Sequence, residues 1–250
     1  FNAVSVSGTH ICEAGADRIQ GIAYPFLTGI AYIEEVLKRG YTFDQIAPLF
    51  SFHLVVGGIQ FHIFQDVAKL RAARRLWAKI AKERFGAKNE SSMKLTFSTG
   101  GMGSGMTEQQ PLNNIARIAY YALSAAMAGS RSMNLPCFDE AYAIPTQEAI
   151  RTSLRIQQIL AYETGITDTV DPLAGSYYIE TLTNYYEDEI RKEMERIDGM
   201  GGIVKCVENG YIQRKLAEQA YETERKIHKG EIIRVGVNRF SVEEETRELE

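Results

Sequence analysis

Thr9, His10 and Glu13 stand together where a short β-prone run, Ala3–Ser7, gives way to a helix start. In a barrel or a doubly wound sheet, the carboxyl end of a strand is where reacting groups are held. A turn after the strand, flanked by Gly8 and Thr9, would throw the His10 imidazole out of the sheet. From there it can donate to a carbonyl oxygen and stabilise negative charge that builds during a reaction. The other reading is a histidine that only satisfies its own hydrogen bonds inside the fold, the commoner fate of a lone His.

Other chemistry-bearing stretches are weaker. The string Ser98-Thr-Gly-Gly-Met-Gly-Ser-Gly-Met-Thr107 reads as a glycine-rich loop after a strand. Such loops can cradle phosphate on backbone N–H groups. No Lys follows these glycines, and no G-x-G-x-x-G opens a helix, so a nucleotide site is poorly supported. A loop that leaves space for a ligand is the plainer reading. Phe138-Asp139-Glu140 lies just past another β-prone run, where a carboxylate can cap locally or reach a ligand hydroxyl. Lys69, Arg71, Arg74, Arg75, Lys79, Lys82, Arg84 and Lys88 form a basic run on a helix, expected to be a solvated face. His53, His62 and His228 show no spacing with Cys, Asp or Glu that makes a metal site. Neither G-x-S-x-G nor H-E-x-x-H occurs.

The bulk numbers suit an ordinary globular enzyme. The chain has 250 residues, 45% hydrophobic and 24% charged, enough for a substantial core. A net charge of −4 gives no global reason to expect nucleic acid or an anionic membrane. No apolar run is long enough to span a bilayer. Three widely spaced cysteines, Cys12, Cys137 and Cys206, suit reduced thiols and a cytoplasmic location rather than a disulfide framework. No charged-then-apolar leader pattern opens the chain.

Four β-prone segments recur, each followed by a helical stretch: Ala3–Ser7, Leu49–Val56, Lys94–Thr99 and Arg131–Leu135. The first helix, about Gly15 to Arg39, carries Ile19, Ile22, Phe26, Ile30, Ile33 and Leu37 at helical spacing, with Pro25 as a kink or break. The second carries Leu70, Ala73, Trp77 and Ile80. The third starts near Asn113 and carries Ile115, Ile118, Ala122 and Ala125. The fourth follows Pro145-Thr146 and carries Ile150, Leu154 and Ala161. Such alternation implies α/β architecture with a parallel sheet. Four βα units do not close a barrel of eight. The chain therefore reads as the C-terminal half of a TIM (β/α)8 barrel over residues 1–180, cut off from its first half. A small open α/β sheet complete in itself is the alternative. A helical linker segment, 181–240, follows, with Tyr186, Ile190, Met194 and Ile197 on one stripe and a break at Gly199-Met-Gly-Gly. The acidic tail, 241–250, is expected to fray.

Several strings resemble the large-chain barrel of coenzyme B12-dependent acyl-CoA mutases, the methylmalonyl-CoA mutase family. They are Ser7-Gly-x-His-x-x-Glu-Ala-Gly15, Ala47-Pro48 with Ser51-Phe52, Arg71-Ala-Ala-Arg-Arg-Leu-Trp77, Thr107-Glu-Gln-Gln-Pro-x-Asn-Asn114, Phe138-Asp-Glu-Ala141, Asp171-Pro-Leu-x-Gly-Ser-Tyr177 and Gly236-Val-Asn-Arg-Phe240. The resemblance covers Phe1 to Phe240. It implies a TIM barrel threaded by the pantetheine arm of CoA and capped by a flavodoxin-like cobalamin domain. It implies adenosylcobalamin as cofactor and a radical 1,2-rearrangement of the acyl-CoA skeleton. No Asp-x-His-x-x-Gly cobalamin signature occurs, so the cobalamin-binding domain is expected elsewhere, on missing sequence or on a small subunit. The implied assembly is a dimer or heterodimer. By match, His10 hydrogen-bonds the migrating thioester carbonyl, Ser51 and Ser132 hold the CoA arm, Glu140 lies near the adenosyl ribose, and Glu13 is a second carboxylate of the same face.

The departures from that pattern cluster in the acyl pocket. Methylmalonyl-type members resembling this chain have Tyr where Thr9 stands, His-Thr-Gln-Thr where Ser98-Thr99-Gly100-Gly101 stands, and Thr-Asn where Leu135-Pro136 stands. Leu49 replaces an Arg, and about three extra residues lie near Gly57–Gln60. At Thr9, Ser98 and Gly100 the exchange removes volume, and two polar contacts go with it. The family's carboxylate-binding Arg would lie before Phe1. The expectation is a mutase for a larger acyl group, of the ethylmalonyl-CoA or substituted succinyl-CoA type. Its rivals are a barrel enzyme using His10 and Glu140 as acid and base, and a mutase-like subunit that only scaffolds a partner.

Overall fold

The computed structural model describes residues 4–242; most of the acidic tail expected over 241–250 lies outside them. Strand β1 (Val4–Ser7) leads through a short helix, α1 (Thr9–Glu13), into α2 (Gln20–Leu37). After α3 (Phe43–Ile46) comes β2 (Phe50–Val56), then α4 (Ile63–Glu83) and the short α5 (Glu90–Met93). Next are β3 (Phe97–Gly101), α6 (Asn113–Met127), β4 (Met133–Asn134) and α7 (Gln147–Glu163). Three helices close the described chain: α8 (Tyr177–Gly199), α9 (Gly202–Glu208) and α10 (Tyr211–His228). The strands form one parallel sheet in the order β1-β2-β3-β4. No helix of the described residues is long and apolar enough to cross a membrane.

Alternation along the strands builds the core. Val6, Phe52, Leu54 and Phe97 point to one face and are buried with α2, α4 and α6. Phe52 holds the centre. Its ring packs against Phe26 of α2 at 5.3 Å and Trp77 of α4 at 4.8 Å between centroids, both edge-on. The predicted stripe of α2 is the one buried: Ile22, Phe26, Ile30 and Ile33 are at most 2% exposed.

Several sequence expectations shift. Pro25 does not break α2, which runs past it from Gln20 to Leu37. β3 begins at Phe97 rather than Lys94: α5 ends at Met93, and a bend and an irregular link separate it from the strand. It also extends past the expected end at Thr99 to take in Gly100 and Gly101. β4 shrinks to two residues. On α7 the buried stripe is Ala149, Ser153, Ile156 and Leu160, one position from the expected Ile150 and Leu154, which are exposed.

The basic run of α4 is in large part a seam, although Arg75, Lys79, Lys82, Arg84 and Lys88 stay exposed as a solvated face would be. Arg71 pairs with Glu180 at 2.7 Å and with Asp171; Arg75 and Lys79 both bind Glu187. Arg84 reaches Glu34 of α2 at 2.7 Å. Lys69 is buried on Asp66 at 2.8 Å, and Asp66 also accepts from Arg18 at 3.2 Å and from the Gly57 N–H at 3.1 Å. These pairs lock α8 onto α4, and Asp66 fixes the turn that leaves β2. Burial by itself would raise the Glu187 carboxyl, but hydrogen bonds from Lys79 and Arg75 hold it below its ordinary value of 4.5.

Glu187 therefore stabilises the fold above pH 4.5, and that contribution is lost as the pH falls through the lower folded value. Glu187→Gln should lower the unfolding free energy at neutral pH by about 1–3 kcal/mol in denaturant titrations. The variant's stability should also change less than the parent's between neutral and acid pH. An unchanged midpoint and an unchanged acid limb would remove this seam from the fold's stability.

Candidate active site

The face of the sheet opposite the helices carries the chemistry. Parallel register sets Ser5 beside Ser51, Ser7 beside His53, and His53 beside Ser98. Gly100 lies beyond Ser98 on the same face, beside Asn134 of β4. Apart from Val55, which is buried with Cys12 and Met102, this face is a run of serines, a glycine and one imidazole, where the opposite face is mostly aromatic and aliphatic.

His53 is the feature that sequence reading missed. Its Nδ1 hydrogen-bonds Ser98 Oγ at 2.8 Å across the β2–β3 pair. Its Nε2 lies over Gly100: a Cβ at that position would sit 2.5 Å from the nitrogen. Only glycine leaves room for this ring. The volume and polar contacts that appeared lost at Ser98 and Gly100 are thus partly returned by an imidazole from the neighbouring strand. Burial, and then the proximity of His10, push the His53 imidazole below its ordinary value. The signal available in the sequence was period two: Ser51, His53 and Val55 alternate with Phe50, Phe52 and Leu54. Testing His53 only as a metal ligand hid it.

A cavity of about 580 Å³ opens at the carboxyl ends of the strands, lined among others by Thr9, Glu13, His53, Gly100 and Glu140. His10 is not thrown out by a turn; it lies inside α1, because the chain enters a helix directly after Gly8. It is exposed and, unlike Thr9 and Glu13 on the same short helix, is not among the residues that line the cavity. The Thr9 hydroxyl is buried and has no partner among the described residues. Glu13 accepts from the Ser104 N–H at 3.2 Å, and Glu140 lies against Gly103, its Cγ 3.3 Å from where a Cβ would stand. The glycine-rich segment therefore runs between the two carboxylates. Asp139, by contrast, turns inward and accepts from the Thr146 N–H and hydroxyl, both at 2.9 Å, fixing the start of α7.

Two polar knots hold this rim. Buried Asn114 donates to the carbonyls of Thr107 and Phe138, each at 2.8 Å, and accepts from the Thr107 N–H at 3.1 Å. It ties the segment after β3 to the one carrying Glu140. Arg234 donates to Gly105 O at 2.8 Å, and Arg117 to Val235 O at 2.8 Å, so the chain around Gly236–Phe240 clamps the glycine-rich segment from outside. Ser51 and Ser132 stand apart from this cavity, at the amino-terminal ends of β2 and β4; Ser51 Oγ is 3.4 Å from Val4 O. The free, buried thiols of Cys12, Cys137 and Cys206 form no disulfide.

A family model described as methylmalonyl-CoA mutase matches residues 1–250. The 2-hydroxyisobutanoyl-CoA mutase large subunit of Aquincola tertiaricarbonis is 42% identical over 250 residues, all of this chain and 44% of that protein. The methylmalonyl-CoA mutase of Cereibacter sphaeroides is 40% identical over 245 residues, 98% of this chain and 34% of its own length. That of Escherichia coli is 39% identical over 252 residues, 100% of this chain and 35% of its own. The chain thus spans less than half the length of these relatives.

The histidine pair makes a prediction about charge. The His53 ring should titrate below the ordinary 6.5, as followed by its imidazole resonances. His10→Ala removes the neighbouring imidazole that disfavours a charged His53 and should move the His53 midpoint upward. A midpoint at or above 6.5 in the parent, or no upward movement in the variant, would contradict this geometry.

Proposed function

Because the chain belongs to the methylmalonyl-CoA mutase family, we propose that it is one arc of a (β/α)8 barrel that isomerises an acyl-CoA by radical 1,2-rearrangement. The observation that carries this reading is the small, polar face of the sheet: Ser5, Ser7, Ser51, His53, Ser98 and Gly100. An ordinary barrel interior is filled by Val, Ile and Leu. Serine and glycine leave a passage for a slender chain such as the pantetheine arm of CoA. It would run from Ser51 and Ser132 toward the carboxyl ends, where His10 stands. The open outer edges of β1 and β4, and the exposed Ile150 and Leu154 on α7, suit further strands and helices closing around this arc.

The rim fits an adenosyl group. Glu140 is exposed there and has no hydrogen-bond or ion-pair partner among the described residues. A free carboxylate of this kind accepts from ribose hydroxyls, and Glu13 adds a second acceptor. The rest of adenosylcobalamin would be held by a cobalamin-binding domain or small subunit. When bound, the cofactor supplies homolytic radical chemistry. This chain's residues orient and shield: an imidazole N–H of His10 donates to the thioester carbonyl oxygen as charge builds there, and the cavity keeps water from the reacting carbons. The pocket is widened at Thr9 and refilled at Gly100 by His53, which suits an acyl group larger than methylmalonyl.

Two measurements on the full-length enzyme, supplied with adenosylcobalamin and its cobalamin-binding module, test these roles. His10→Ala should lower kcat by about 10²–10³, the scale of losing one oxyanion-type donor, with a much smaller change in KM. A near-parental kcat would remove His10 from the mechanism. In competition between methylmalonyl-CoA and bulkier acyl-CoA thioesters, the parent should favour the bulkier in kcat/KM, since each buried methylene gains roughly 0.8 kcal/mol. Thr9→Tyr should shift the ratio toward methylmalonyl-CoA. Equal or better turnover of methylmalonyl-CoA by the parent would sink the enlarged pocket and leave the mutase assignment standing.

A further inference from the structure

His53 occupies the centre of the polar face, and its environment narrows what it can bind. Ser98 holds Nδ1 at 2.8 Å, so the ring cannot swing. Nε2 lies over Gly100 at the cavity wall and has no hydrogen-bond partner among the described residues. Burial and His10 favour the neutral ring. Among the described residues, the cavity lining includes the carboxylates of Glu13 and Glu140 and no lysine or arginine. These carboxylates flank the ring without pairing with it, so the group facing Nε2 is left to the ligand. A hydroxyl suits such a ring. It can donate or accept, so it pairs with either tautomer of a neutral imidazole. The buried, unpaired Thr9 hydroxyl in the same cavity is a further partner for such a group.

We propose that His53 selects the acyl group of the substrate, its Nε2 hydrogen-bonding a hydroxyl carried by the acyl skeleton, so that the substrate class is a hydroxyacyl-CoA. This rests on the acyl-CoA mutase reading above. The exchange of a large side chain for Gly100 is then what admits the imidazole, and Ser98 is what aims it. A site built to pair a hydroxyl discriminates against the analogue lacking one, because its buried polar groups would go unpaired.

The test uses the full-length enzyme with adenosylcobalamin and its cobalamin-binding module. A branched hydroxyacyl-CoA, its deoxy analogue of the same skeleton, and methylmalonyl-CoA are compared in kcat/KM. The parent should prefer the hydroxyl-bearing thioester over the deoxy analogue by about 10- to 100-fold. His53→Phe keeps a ring but loses the hydrogen bond, and should bring the ratio near one. His53→Gln should recover part of it. Gly100→Ala, which pushes the ring aside without deleting it, should give the same fall should the His53 variants disturb the sheet. Retention of the ratio in folded His53→Phe or Gly100→Ala, or a parental preference for the deoxy or dicarboxylic thioester, overturns the proposal. If none of the thioesters is isomerised, the mutase reading fails, and His53 is judged by equilibrium binding of the first two thioesters to the same complex. A hydroxyl preference lost in His53→Phe then upholds its role, and equal binding overturns it.

Discussion

The register of the parallel sheet is the constraint on which the rest depends. Phe52 must face Phe26 and Trp77 to bury its ring, and with that choice every second residue of β2 is sent to the opposite face. His53 is therefore delivered to the polar side by the packing of Phe52 on the apolar side. The pairing of His53 with Ser98 follows from the same register, and with it the approach of the imidazole to Gly100. A slip of one residue would bury the histidine among aromatics and expose the phenylalanines.

Around that sheet, polar groups are spent on holding loops rather than on strengthening the core. Buried Asp66 secures the exit from β2, Asn114 joins the segments after β3 and β4, and Arg234 clamps Gly105. Asp66, Asn114 and Arg234 each bond a backbone group of the segment they hold, so loosening one would both leave an unpaired group and release that segment. The ion pairs between α4 and α8 act further out. Their cations are partly exposed, which makes them a seam between helices more than a source of large stabilisation.

The cavity combines two kinds of feature. Among the described residues Glu140 and the Thr9 hydroxyl have no partner, while Glu13 and His53 are tied down by Ser104 and Ser98. Anchored groups give direction and unpaired groups give affinity, the division expected of a site that orients a ligand instead of reacting with it covalently. The glycine-rich segment earns its composition here: Gly100 admits the imidazole and Gly103 admits the Glu140 side chain.

The strand–helix alternation, the parallel sheet and the buried stripes of α2, α4, α6 and α8 were legible in the sequence, because period and composition are local properties that burial of one face reinforces. So were Thr9, Glu13 and Glu140 as neighbours of one cavity, since strand ends of a parallel sheet gather on one side. What the sequence alone could not decide depended on partners distant along the chain. The basic residues of α4 became interhelical ion pairs because acidic residues of α8, more than a hundred positions later, pack on them. The stripe of α7 turned by one position, and a short helix replaced the turn around His10, because tertiary contacts override weak local preference. His53 gained its meaning only when β3 came alongside: a histidine is ambiguous by type, and the serine that aims it and the glycine that makes room for it lie 45 and 47 residues away.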